Sequence, residues 1–148
     1  MTAGLETLYR DVILDHNKRP RNFRALEGGG KAEGSNPLCG DRLTVYVCIE
    51  NGTIQDAAFQ GFGCAIAIAS ASLMTESVKG KTVAEAQALF DRVLQMITAS
   101  AEAVVDDLGD LSALVGVRQF PVRVKCATLP WQALRAAAAA RVEVVSTE

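Results

Sequence analysis

The sequence predicts an α+β fold: a small antiparallel sheet, made of a hairpin plus a third strand, packed against several helices. Three observations carry this. Residues 42–50 alternate apolar and polar side chains with period two and run into Asn51-Gly52, the strongest short-range hairpin signal. The N-terminal residues place apolar side chains at helical spacing, and helix-forming segments follow the hairpin from residue 65 onward. Elements segregated in this way, without internal repeats or low-complexity linkers, read as one α+β domain over residues 1–148.

The first helix is expected from Leu5 to about Lys18, with Leu5, Leu8, Val12 and Ile13 on one face and Arg10, Asp11 and Asp15 on the other. It ends before Arg19-Pro20-Arg21, because proline disfavours helical geometry at the residue before it. His16, the chain's one histidine, falls in the last turn and reads as a capping or surface residue. Arg24 to Ser35 reads as loop around Gly28-Gly29-Gly30, a flexible connector that leaves the following segment mobile. No strand precedes these glycines and no Gly-Lys-Ser/Thr follows, so they form no phosphate cradle.

Arg42 to Glu50 is the first strand of the hairpin, with Leu43, Val45, Val47 and Ile49 facing the core. Thr53 to about Gln60 returns antiparallel. Cys48 lies on the face opposite the aliphatic stripe and reads as a packing cysteine. The small-residue run after Cys64 suits a helix ending at Lys79-Gly80. Thr82-Val83-Ala84-Glu85 is a capping box that starts another, to about Ser100. Asp106 to Val117 is acidic and then apolar, with a short helix expected at Leu111–Val115. Pro121 closes that stretch, and the alanine-rich segment from Ala127 to about Val142 forms the last helix, with Cys126 at its entrance.

Composition narrows the functional classes. The chain has 148 residues, 49% of them apolar, and a net charge of -2, enough for a proper core and without the basic surplus that holds a polyanion. No nucleic acid partner is expected. No apolar run is long enough to span a bilayer, and the N-terminus lacks the basic and apolar regions of a signal peptide. A cytoplasmic location, away from membranes, is therefore expected. In that reducing compartment the four cysteines are poor disulfide candidates, and clustered cysteines there bind metal or do chemistry. The alternative is that all four are small buried hydrophobes.

Local context favours chemistry. Asn36-Pro37-Leu38-Cys39-Gly40-Asp41 sets a thiol and a carboxylate in one short loop, while Cys64 and Cys126 are placed at helix N-termini, where free amides and the dipole stabilise a thiolate. Three sulfurs and one carboxylate can fill a tetrahedral zinc site or hold an iron–sulfur cluster. Such a set leaves zinc electron-rich and a poor Lewis acid. With one histidine in the chain, hydrolytic zinc chemistry is disfavoured. Ligand exchange and sulfur chemistry suit the set better, and one aspartate makes it looser than four cysteines would.

These motifs resemble the SufU/IscU family of iron–sulfur cluster assembly proteins, related to the NifU N-terminal domain. The residues that carry the likeness are Asn36-Pro-Leu-Cys39-Gly-Asp41, Gly61-Phe-Gly-Cys64 with Ala69-Ser70, Cys126-Ala-Thr-Leu129, and the N-terminal segment from Tyr9-Arg10-Asp11 through Asp15-His16 to Pro20-Arg21-Asn22-Phe23. Together they cover roughly residues 8 to 135. The stretch Leu108 to Arg118 looks like a SufU-type insertion, the Leu-Pro-Pro-Val-Lys motif of IscU scaffolds is missing, and Lys125 stands where those scaffolds carry histidine. The resemblance implies a zinc-dependent sulfurtransferase that accepts persulfide sulfur from a SufS-type, PLP-dependent cysteine desulfurase and feeds the downstream cluster-assembly machinery. By the same resemblance, Cys39 would be the acceptor, and Cys39, Asp41, Cys64 and Cys126 the zinc ligands. Arg123 would orient the site or steady the acceptor thiolate, its alternative being a surface arginine. Two other readings stay open: a scaffold that holds and transfers a [2Fe-2S] cluster, with iron or the cluster in place of zinc, and an interaction module whose metal only holds the fold.

Overall fold

The structure, a computed structural model, describes residues 3–99, 108–139 and 144–146. The side chains of Leu5 and Leu8, Asp106, and the expected helix ends at Ser100 and Val142 lie outside the described residues. Helix α1 spans Ala3–Lys18, followed by strands β1 (Gly30–Asn36), β2 (Asp41–Glu50) and β3 (Thr53–Phe62). Helices α2 (Ala65–Val78) and α3 (Val83–Thr98), a 3₁₀ segment (Gly109–Gln119), helix α4 (Pro121–Ala138) and a short strand β4 (Val144–Ser146) complete it. The sheet order is β3-β2-β1-β4, antiparallel except for the parallel pairing of β4 with β1. Among the described residues, no helix is long and apolar enough to cross a membrane.

The hairpin forms as the alternation predicts. Asn51 and Gly52 both take positive φ, 53° and 76°, as the primed turn joining twisted strands requires. Leu43, Val45 and Val47 are fully buried. Ile49 is only half-buried, because a register shift between Cys48 and Ile49 disturbs the alternation there. The capping box also forms: the Thr82 hydroxyl accepts the Glu85 N–H at 3.1 Å and the Glu85 carboxylate accepts the Thr82 N–H at 2.9 Å.

Three expectations are corrected. The stretch read as a mobile loop contains the third strand, β1, and it pairs with β2 along its whole length. Its inward residues Ala32, Gly34 and Asn36 lack the aliphatic alternation that marks a strand, because α4 lies directly over them. A Cβ on Gly34 would come 2.9 Å from Leu129 Cδ1, and one on Gly30 would come 2.0 Å from the Ala137 carbonyl oxygen. These glycines admit a close helix rather than loosen a connector.

His16 is the second correction. It is buried, with Nδ1 2.7 Å from the Ser72 hydroxyl, which also accepts the Arg21 N–H at 2.8 Å. The third concerns the last helix, which begins at Pro121 rather than Ala127. Proline is tolerated at the first helical position, where no intrahelical N–H is needed. The expected helix at Leu111–Val115 becomes an eleven-residue 3₁₀ segment whose residues Leu111 to Val117 are all buried.

Helix α2 packs against α1, α4, β3 and the 3₁₀ segment. It carries polar side chains into the core, each with a partner. The buried Ser70 hydroxyl donates to the Ala127 carbonyl at 2.6 Å and accepts the Trp131 indole N–H at 3.2 Å, which pins α2 to α4. A serine can hold this place because it meets both an acceptor and a donor.

Two stability tests follow. Gly30→Ala should lower the unfolding free energy by about 1–3 kcal/mol, the range for overpacking, measured by urea denaturation; an unchanged midpoint would restore the loose-connector reading. Burial, and then the Arg21 charge, hold the His16 pKa below its ordinary 6.5, against the opposing pull of Asp15, Asp110 and Glu76. The folded state thus favours the neutral ring. Stability is fully present above about pH 6.5 and falls as pH drops through the unfolded toward the folded pKa. Thermal unfolding between pH 7 and 5 should show this loss, blunted in His16→Gln.

Candidate metal centre

The β1–β2 connection brings the first two candidate ligands together. Asn36 and Asp41 face each other across the ladder, so the whole Pro37-Leu38-Cys39-Gly40 stretch is a tight hairpin tip. The Cys39 N–H reaches the Asn36 carbonyl at 3.2 Å and the Gly40 N–H the Pro37 carbonyl at 3.4 Å. Gly40 takes φ 74°, a conformation glycine adopts without strain. The loop is therefore not a long flexible one fed by glycines. Cys39 sits half-buried on a short turn anchored by two strands.

Asp41 opens β2 with its side chain inward and 1% exposed. Its Oδ1 accepts the Cys64 N–H at 2.7 Å. Gly63 makes this possible: a Cβ there would lie 2.7 Å from Oδ1. Cys64 is the N-cap of α2, its sulfur accepting the Ala67 N–H at 3.5 Å, as the sequence places it. Cys126 is not at a helix entrance. It lies in the second turn of α4, fully buried. Pro130, inside the same helix, has no N–H to offer the Cys126 carbonyl one turn back.

The donor atoms of Cys39, Asp41 and Cys126 lie within 4.8 Å of one another. Cys64 stands outside that trio, its sulfur turned to the Ala67 amide, yet it remains close enough to act on Cys126. Burial pushes the Cys126 thiol far above its ordinary range, and contacts with Asp41, Cys39 and Cys64 add to the effect. Three of the four candidates, Cys39, Asp41 and Cys126, thus bring their donor atoms together, with Cys64 beside the group. Cys48 does not join them: it sits mid-strand opposite Asp56, half-buried and free of any disulfide.

Arg123, in the first turn of α4, points its guanidinium at the cluster. Its Nη1 is 3.9 Å from the Cys39 sulfur. Contact with Cys126, followed by the charges of Cys64 and Cys39, holds its pKa above the ordinary range. Leu38 and Val122, 74% and 73% exposed, line the cleft beside Cys39 together with Asn36, Arg123 and Lys125. An apolar rim around a thiol is a surface suited to a protein partner.

One feature of the cluster fits a cation. Among the described residues, two buried side-chain polar atoms lack a hydrogen-bond partner, Asp41 Oδ2 and Asn36 Oδ1. A buried carboxylate oxygen without a partner is costly. Here Oδ1 is committed to the Cys64 N–H while Oδ2 has no partner, and the carboxylate lies close to the Cys39 and Cys126 thiols. Soft sulfurs with one hard oxygen suit zinc or iron. Asn36 opens the Asn-Pro-Leu-Cys-Gly-Asp motif, where its residue type alone points to no role. Its inward position became visible only once β1 was known to be a strand.

Comparison with known proteins places the chain in a family. A family model for the NifU-like N-terminal domain matches residues 8–140. The zinc-dependent sulfurtransferase SufU of Bacillus subtilis (strain 168) is 44% identical over 132 residues, spanning 89% of this chain and 90% of that protein. The iron–sulfur cluster assembly scaffold protein IscU of Streptococcus pyogenes serotype M1 is 41% identical over 135 residues, covering 91% and 85%. Among solved structures, a candidate cluster assembly scaffold of the SUF system from Fervidobacterium islandicum AW-1 matches with a TM-score of 0.80 at 33% identity, over 90% of this chain and 98% of that one. A NifU-like N-terminal protein from Brucella abortus matches with a TM-score of 0.78 at 25% identity, over 90% and 93%. The chain belongs to the NifU-like N-terminal domain family.

Proposed function

We propose that this protein is a zinc-dependent sulfurtransferase of iron–sulfur cluster assembly, taking persulfide sulfur from a PLP-dependent cysteine desulfurase. The observation that carries the reading is an asymmetry in the cluster. Cys126 is fully buried in α4 and Cys64 caps α2, whereas Cys39 is half-exposed on a hairpin tip with the Arg123 guanidinium 3.9 Å from its sulfur. The name of the Bacillus relative supports the same activity.

Cys39, Asp41, Cys64 and Cys126 would hold the zinc, which when bound keeps thiolates available at neutral pH. The remaining work falls to this chain's residues. The Cys39 thiolate attacks the outer sulfur of the desulfurase persulfide. A new S–S bond forms at Cys39 while the desulfurase S–S bond breaks. The desulfurase cysteine leaves with the electron pair as a thiolate, so no outside oxidant or reductant is needed. Arg123 faces the incoming sulfur anion and offsets its charge. Leu38 and Val122 supply an apolar rim for the desulfurase surface. In this role the protein would work in the reducing cytoplasm and pass its sulfur on to the cluster-assembly machinery.

The scaffold named among the relatives is the second reading, with iron or a [2Fe-2S] cluster at the same residues. Metal analysis of protein purified without oxygen separates the two: about one zinc per chain supports the sulfurtransferase, and a stoichiometric cluster with visible absorbance supports the scaffold.

Cys39→Ala should abolish both persulfide formation on this protein and stimulation of a cysteine desulfurase. Normal stimulation by that variant would end the sulfur-relay reading. Asp41→Ala should weaken zinc binding by at least about tenfold in a competition titration, and unchanged affinity would remove Asp41 from the ligand set. Cys48→Ser serves as the control and should transfer sulfur at the normal rate.

A further inference from the structure

Asn36 is the buried polar residue that the proposed reaction leaves without a task. It ends β1 with its side chain inward and 1% exposed. Its Nδ2 donates to the Cys126 sulfur at 3.6 Å, its backbone carbonyl accepts the Cys39 N–H at 3.2 Å, and Asp41 is its partner across the ladder. One residue therefore touches or pairs with all three groups whose donor atoms come together. Its own Oδ1 has no hydrogen-bond partner. An amide buried for packing alone would be a poor choice, since an unsatisfied buried carbonyl is costly. Groups that donate to a metal's ligands aim those ligands and tune them. A hydrogen bond to an ionised sulfur is stronger than one to a neutral acceptor, and it draws electron density from that sulfur.

We propose that Asn36 is a positioning residue of the centre: its side-chain N–H aims the Cys126 sulfur at the donor set and damps its nucleophilicity, leaving Cys39 as the sulfur that exchanges. The turn geometry completes the division. The same residue restrains Cys39 only through a backbone bond at the hairpin tip, so the Cys39 sulfur receives no donor from Asn36. This rests on the metal reading above.

The test loads the full-length protein with metal and does not depend on turnover. In nitrogen-labelled wild-type protein loaded with NMR-active cadmium, the Asn36 side-chain amide proton should show a coupling to the metal, carried through the Cys126 sulfur. In cobalt-loaded protein, Asn36→Ala should shift the sulfur-to-cobalt charge-transfer band to lower energy and weaken cobalt binding about 10- to 100-fold. A residue that only fills space would move neither the coupling nor the band. If the wild-type protein binds both metals but shows no amide coupling, the inference fails and the metal reading stands. An Asn36→Ala spectrum and affinity equal to wild type has the same consequence. If the wild-type protein takes up neither metal, both fail together. Should Asn36→Ala not fold, the cadmium coupling in the wild-type protein decides alone.

Discussion

The structure depends on burying a carboxylate next to thiols. Asp41 and Cys126 are almost wholly out of water, where an unpaired charge would cost several kcal/mol. The fold answers with one backbone and one side-chain donor: the Cys64 N–H at the start of α2 meets one Asp41 oxygen, and the Asn36 side-chain Nδ2 meets the Cys126 sulfur. The second Asp41 oxygen is left without a hydrogen bond. A cation held there would supply the missing partner, which is why the proposed metal and the fold around it form one energetic unit.

That unit requires three chain segments to approach more closely than ordinary side chains permit. Gly63 lets Asp41 reach the α2 N-terminus, and Gly30 and Gly34 let α4 lie on β1. Ser70 then fixes α2 to α4 through Ala127 and Trp131. Cys64 and Cys126 are carried by those two helices, so the same contacts that close the core set the spacing of the sulfurs. Function and packing share residues here, and a substitution at any of these small positions would disturb both.

Burial is distributed unevenly among the sulfurs as a result. The helices hold two sulfurs in a pinned frame, and the hairpin tip presents the third to the cleft beside Arg123. In the proposed reaction the sulfur acceptor is the half-buried thiol at the hairpin tip. It owes its exposure to a short turn rather than to a long flexible loop.

Much of this was legible in the sequence. The β2–β3 hairpin, the Thr82 capping box and the placement of Cys64 at a helix start all rest on local rules, a period, a turn pair or a cap, that act over a few residues. So did the grouping of Cys39, Asp41, Cys64 and Cys126 as candidates, since their residue types and motifs speak directly to sulfur and metal chemistry. What the sequence left hidden depends on contacts between distant segments. β1 carries no strand pattern because its inward face is shaped by α4, and His16 is buried by Ser72 on another helix. Cys126 is deeper in its helix than the alanine-rich run suggests, because Pro121 opens the helix nearly two turns early. Asn36 gains its place at the Cys126 sulfur only through the pairing of β1 with β2 and the packing of α4. The residue types determined which chemistry the chain could do; the tertiary packing decided which sulfur is buried, which is exposed and which amide stands behind it, because hydrogen bonds and burial across the core are set by approach distances that no local pattern records.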